Sequence, residues 1–215
     1  MLKQPVSTDS SVAKVLAYAR DRIISGEFEP GTKLLPKVLA ENCQTSLIPV
    51  REAFRALESE GLVTFIHNRG VWVSPLSFED LNDLYSVRFL IESDTVKVSE
   101  PFTRVEIEQL EKYLKEARRA AKNGHEAKII SLNRSFHFLI YEKAKSPWRM
   151  NLIENLWSHT ERYQRLSVHL RHDAADDEHQ AIVDCLASGD HNGASKALQI
   201  HLDTTAKLLA ATYKK

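Results

Sequence analysis

Several things are scarce or missing in this 215-residue sequence, and each shortage removes a class of protein. No run of eighteen apolar residues occurs, so no membrane span is expected, and the polar stretch Met1 to Ser10 has no apolar region of the kind a secretory signal needs. Cytoplasm is the expected compartment. The two cysteines, Cys43 and Cys185, fall in different predicted domains and lack metal-type spacing, which fits reduced structural thiols. Charge of either sign is not in excess: 29 Lys and Arg balance 29 Asp and Glu. Residues 1–75 hold nine Lys/Arg against eight Asp/Glu, so any contact with a polyanion must rest on a few local residues, doubled by dimerisation. There is no internal repeat, no low-complexity segment and no HExxH motif. With 43% hydrophobic and 27% charged residues, the chain is globular and has room for two small domains or one large one.

The stretch that is rich in signal runs from Thr45 to Val73. Ser46 is placed to cap a helix by accepting a bond from a first-turn amide, Pro49 sits where its missing N–H costs little, and Gly61 supplies a left-handed stop. Val50, Ala53, Phe54 and Leu57 repeat at helical spacing and must face a core. Leu47, Ile48, Arg51 and Arg55 project from the opposite side, where the two arginines can straddle phosphates or reach base edges. After Gly61 the period shortens to that of a strand (Leu62 to Ile66). A polar turn (His67, Asn68, Arg69, Gly70) leads into a second strand (Val71 to Val73). Upstream, a packing helix is expected over Ser11 to Ser25, a short strand over Lys33 to Leu35 and a brief helix over Lys37 to Asn42. Helix followed by hairpin reads as a winged helix-turn-helix domain ending near Pro75.

The segments PVREAFRALESEGLV and HNRGVWV, with ISGEFEPGTKL before them, resemble the DNA-binding domain of the GntR family of bacterial transcription regulators. The resemblance implies that the helix opening at Ser46 enters a major groove and that the wing tip reaches the adjacent minor groove. It places DNA contacts on Ser46, Arg51, His67, Asn68 and Arg69; Arg55 joins them by lying on the same outward face. Two departures stand out. Leu47 replaces the arginine that usually follows the capping serine, and the chain is about two residues shorter between Leu35-Pro36 and Leu39-Ala40-Glu41, which removes another arginine. The family's operator sequence therefore does not transfer to this chain.

Beyond Pro75 every signal is helical. Ser77 with Asp80 and Thr103 with Glu106 have capping-box spacing, and helices are expected at 78–100, 104–122, 126–144, 148–170, 174–188 and 191–212. The expected fold is mainly α: the winged domain with its small β-hairpin over residues 1–75, then an all-α six-helix bundle over 76–215. Within it Asn133 and His137 are four apart on one helix face. His179 and His201 lie at similar distances either side of the break near Gly189, which sets them at similar heights across a helical hairpin. Three imidazoles and an amide oxygen suit Zn, Ni or a related divalent ion, although helical histidines with no ion to hold are more often packed or solvated. His125, His159, His169, His172 and His191 have no matching partner.

LNRSFHFLIYEKA, DDEHQAIVDCLASGD and ALQIHL are similar to the C-terminal FCD domain of the FadR-type branch of the same family. Its metal-binding members carry Asp or Asn and then three His at these places, so the resemblance implies a metal held by Asn133, His137, His179 and His201. It also puts Arg88 and Glu92 at the usual Arg and Glu of the first bundle helix, where Arg88 is expected to receive a carboxylate or to pair with a neighbouring helix. The function so implied is a homodimeric regulator that binds a double-stranded DNA operator and has no membrane partner. Its operator affinity is controlled by a small organic acid in a metal-containing cavity. The alternative is a metal-dependent hydrolase using the Asn/His3 site, for which Asp176, Asp177 and Glu178 are the candidate general bases.

Overall fold

The computed structural model describes residues 8–165 and 172–213, and their contacts divide the chain into two compact units, Met1–Leu76 and Ser77–Lys215. The first unit contains α1 (Thr8–Ile24), β1 (Lys33–Leu34), α2 (Pro36–Asn42), α3 (Leu47–Ser59), β2 (Val63–Ile66) and β3 (Gly70–Val73). Its three strands form an antiparallel sheet in the order β1-β3-β2, with Leu34 opposite Val71 and Thr64 opposite Trp72. The core comes from one face of each element: Val15, Ala19 and Ile23 of α1, Leu39 and Ala40 of α2, Val50, Ala53, Phe54 and Leu57 of α3, and Val63, Val71 and Val73 of the wing. Arg20 of α1 donates through Nε and Nη2 to both carboxylate oxygens of Glu60, the C-cap of α3.

One expected cap is not made. Ser46 is the N-cap of α3, but its hydroxyl accepts no bond. A capping hydroxyl ordinarily takes the N–H of the second or third helical residue, and the third here is Pro49, which has none. The stop is as expected, with Gly61 at φ 75° just past the helix.

The second unit is helical among its described residues: α4 (Phe78–Lys97), α5 (Arg104–Lys122), α6 (Glu126–Glu142), α7 (Pro147–Gln164), α8 (His172–Ala187) and α9 (His191–Tyr213). α4 packs against α9 and α7, α8 packs along α9, and α5 packs on α6 and α8. Trp157, Tyr141, Tyr163, Phe136 and Leu81 are fully buried among these helices. The predicted extension of the fourth bundle helix to residue 170 falls partly on positions outside the described residues, as does His169.

Helix starts follow the cap chemistry of the sequence, with one change. Thr103 and Glu106 form a reciprocal capping box. Asp190 accepts the Gly193 N–H at 2.8 Å ahead of α9. At α4 only half of the box exists: Ser77 Oγ accepts the Asp80 N–H at 3.0 Å, while the Ser77 N–H goes to the Tyr163 hydroxyl at 3.2 Å. Tyr163 in turn donates to the Asp80 carboxylate, so α7 clamps the beginning of α4. No helix among the described residues is long and apolar enough to cross a membrane.

Candidate metal centre and nucleic-acid interface

In the first unit, the outward side of α3 carries two rows at one-turn spacing. One is Leu47, Arg51 and Arg55; the other is Ile48 and Glu52, and all five are exposed. Ser46 is exposed immediately before them. The wing turn places His67, Asn68 and Arg69 in solvent, with the Arg69 N–H closing on the Ile66 carbonyl at 2.9 Å. Asn68 adopts φ 57°, a left-handed conformation that asparagine tolerates better than most residues, and this lets β2 turn back into β3. All six positions predicted to meet DNA are thus on the surface, four of them carrying Arg or His side chains.

In the second unit, three imidazoles from three helices converge. His137 of α6, His179 of α8 and His201 of α9 are buried, and each offers a ring nitrogen within 4.8 Å of the others. His137 Nε2 faces His179 Nε2 at 3.2 Å, and the rings of His179 and His201 are 4.3 Å apart. Asn133 lies one turn before His137 on α6 and is half-buried.

The surrounding hydrogen bonds decide which nitrogens hold protons. Glu92, wholly buried on α4, accepts from Arg88 Nε (2.7 Å), Arg88 Nη2 (3.2 Å), the Tyr141 hydroxyl (2.5 Å) and Trp157 Nε1 (3.1 Å). Burial, and after it the charge of Glu92, pushes the Tyr141 phenol well above its ordinary pKa, so the hydroxyl keeps its proton. That one proton is directed at Glu92. The Tyr141 oxygen must then accept from His137 Nδ1, 3.1 Å away, which makes Nε2 the unprotonated nitrogen of His137. Likewise Glu178 Oε2 takes the Nδ1–H of His201 at 2.9 Å and leaves Nε2 as that ring's lone-pair nitrogen. Carboxylate or hydroxyl partners on the outer nitrogen are what orient histidines toward a metal and raise their basicity. The 3.2 Å between His137 and His179 nitrogens is close to the spacing of two tetrahedral ligands at roughly 2.1 Å from zinc. The donor set therefore fits a divalent ion of the Zn or Ni kind.

Of the two expectations for Arg88, pairing with a neighbouring helix is the one the structure does not make. Its ion partner is Glu92 on its own helix, not a group on a neighbouring one, and Nε and Nη2 are both committed. Burial works against its charge, but the Glu92 carboxylate outweighs that and raises its pKa further. Nη1 alone is buried without a partner, and the guanidinium lies over the Tyr85 and Trp157 rings at 4.7 and 4.9 Å. Trp157 also packs against His137, with ring centres 5.2 Å apart, so Arg88 and the imidazoles share a wall. Sequence reasoning missed Tyr141, Trp157 and the hub role of Glu92. The spacing of His137 and Tyr141, one turn apart, was the available signal for the first of these.

Of the other histidines, His125 is the exposed N-cap of α6, and His191 at the head of α9 pairs through Nδ1 with Ser99 Oγ at 2.8 Å. Two of the three candidate general bases are otherwise engaged, Asp176 with Arg118 at 2.9 Å and Glu178 with His201, and Asp177 is exposed.

These two units define a class. Residues 12–73 match the family model for bacterial regulatory proteins of the gntR family, and residues 83–204 match the FCD domain; the chain belongs to the GntR family, in the branch that carries an FCD domain. It is a family of transcriptional regulators, not of enzymes, and the hydrolase alternative finds no support. Among curated relatives, the HTH-type transcriptional regulator YdhC of Bacillus subtilis is 33% identical over 136 residues, 62% of this chain and 61% of YdhC. McbR of Escherichia coli is 29% identical over 133 residues, 61% of this chain and 60% of McbR, so both alignments span about three-fifths of the relative's length. A GntR transcriptional regulator from Rhodococcus sp. RHA1 superposes with a TM-score of 0.82 at 25% identity, covering 95% of this chain and 99% of that one. The E. coli McbR/YncC structure superposes with the same TM-score and coverage at 23% identity, a likeness of fold.

Proposed function

We propose that this chain is a cytoplasmic, sequence-specific DNA-binding transcriptional regulator whose operator affinity is set by a small organic acid bound beside a metal ion in the helical unit. Residues 1–75 serve as the DNA-binding domain and residues 76–215 as the effector and dimerisation domain. The observation that carries the reading is the convergence of His137, His179 and His201 with two of their outer nitrogens held as donors. Asn133 completes the protein's ligands with an amide oxygen. A bound dication supplies Lewis acidity and positive charge, which four neutral ligands leave uncompensated, so an anion is the fitting partner. Arg88 Nη1 supplies further N–H donors that suit a carboxylate oxygen, while Nε and one N–H of Nη2 are taken by Glu92. α4, which carries Arg88 and Glu92, begins shortly after the wing strand β3 ends, and it is the element through which the effector shifts DNA affinity. A coupling of about 1–3 kcal/mol between the two sites is enough for regulation.

The assembly is a two-fold homodimer reading half-sites about one helical turn apart. Its support is a set of exposed apolar side chains, Val87 and Leu90 on α4 and Trp148 and Leu152 on α7, on the two helices that the Arg149–Asp94 bridge joins. Two measurements test the function. Retardation of a duplex taken from DNA flanking the coding sequence, with no turnover of esters, phosphates or amides, supports it; a strict monomer in light scattering that retards no duplex contradicts it.

A further inference from the structure

The N-terminal turn of α3 is apolar where its function calls for recognition. Leu47 and Ile48 are 38% and 65% exposed, and the core on the other side of the helix is already completed by Val50, Ala53, Phe54 and Leu57. Folding has no use for them outside, and two large aliphatic side chains left in water gain only when something covers them. The neighbouring charges indicate the occupant: Arg51 and Arg55 are exposed one and two turns beyond Leu47 on the same row, which gives this face cations matched to phosphates.

In helix-turn-helix readers, the N-terminal residues of the recognition helix are the ones that meet base edges. Leucine and isoleucine neither donate nor accept hydrogen bonds. Of the groups a major groove presents, one is apolar, the C5 methyl of thymine. Guanine O6 and N7, adenine N6 and N7 or cytosine N4 under the same side chains would lose water and receive nothing in exchange. We infer that Leu47 and Ile48 read thymine methyl groups, so that the operator half-site of this chain carries thymine where an arginine at position 47 would select guanine. The inference rests on the DNA-binding reading above and goes beyond it by assigning the chemistry of the bases read.

The test replaces the methyl and nothing else. Duplexes are selected from a random-sequence library with the full-length protein, and each thymine of a selected duplex is then exchanged singly for deoxyuridine. The expected result is one or two thymines per half-site at which binding weakens roughly fourfold for each methyl removed, with the remaining thymines silent. The double variant Leu47→Ala, Ile48→Ala, altered only at exposed positions, should bind the thymine duplex about as weakly as wild type binds the uridine one. It should lose nothing more on uridine exchange. Uridine exchange without effect at every position, on a duplex that is still bound specifically, overturns the inference while leaving DNA binding intact; so does a double variant that keeps the discrimination. Failure of the library to yield any enriched duplex overturns the DNA-binding reading itself.

Discussion

Replacing Glu92 by glutamine removes one charge and keeps the shape, and the surroundings of the side chain set the cost. The carboxylate accepts four donors, from Arg88, Tyr141 and Trp157, in a position with no exposure. An amide offers one oxygen to those donors and brings two N–H groups of its own, so at least two donors lose their acceptor and the Arg88 cation stays buried without a counter-charge. Breaking a buried pair by neutralising one partner costs about 3–5 kcal/mol, a large share of the roughly 5–15 kcal/mol that holds a domain together. Urea unfolding read by tryptophan fluorescence measures it, in a Trp72→Phe background so that Trp148 and Trp157 report the helical unit. The apolar double replacement Arg88→Met, Glu92→Leu should recover only part of the loss, because Tyr141 and Trp157 still lack an acceptor. A loss below about 1 kcal/mol for Glu92→Gln, the scale of an exposed pair, would refute the hub.

The same geometry sets three further expectations. Tyr141→Phe and Glu178→Ala each release an outer nitrogen of one imidazole, and metal affinity measured by competition with a chromophoric chelator should fall about 10–100-fold in each; unchanged affinity would show that these partners do not orient the rings. Glu106 is held down to about 2 by the Lys143 ammonium and then by the Thr103 backbone N–H. Its folded pKa is depressed, so its contribution to stability is complete above the ordinary value of 4.5 and is lost as pH falls towards 2. Glu106→Gln should flatten the pH dependence of unfolding across that window, and an unaltered slope would contradict the assignment. Arg51→Ala should weaken a selected duplex more than about tenfold relative to random DNA, whereas Arg55→Ala should weaken both alike if it meets phosphate; equal operator affinity in Arg51→Ala would remove α3 from recognition.

The fold was legible where local chemistry alone sets an element. Thr103 with Glu106, Asp190 ahead of α9 and Gly61 after α3 mark helix ends because the bonds involved span three or four residues, and the structure makes them. Legibility failed where a second element or an awkward neighbour decides. Ser46 has the right identity for a cap, but Pro49 withholds the N–H it would bond. Asp80 has the right offset from Ser77, yet its carboxylate meets Tyr163, 83 positions away. In the histidine cluster the imidazoles could be read from spacing along α6 and across the α8–α9 hairpin. The shell that sets their protons could not, since Glu92 on α4 reaches His137 through Tyr141 on α6 and shares Trp157 of α7 with it. Arg88 and Glu92 are one turn apart in the sequence, and nothing short of their common burial shows that they pair with each other before any ligand.

If three imidazoles hold a metal through which an organic acid controls DNA binding, ion and acid must be gained and lost together. The most direct measurement is metal content by mass spectrometry on protein purified without chelators, combined with calorimetric binding of small carboxylic acids, in wild type and in the double variant His179→Ala, His201→Ala. The expected result is one divalent ion per chain in wild type, none in the variant, and loss of acid binding together with the ion. A wild type that holds no metal and still responds to the acid, or a variant that binds the acid with unchanged affinity, would contradict the metal-centred mechanism.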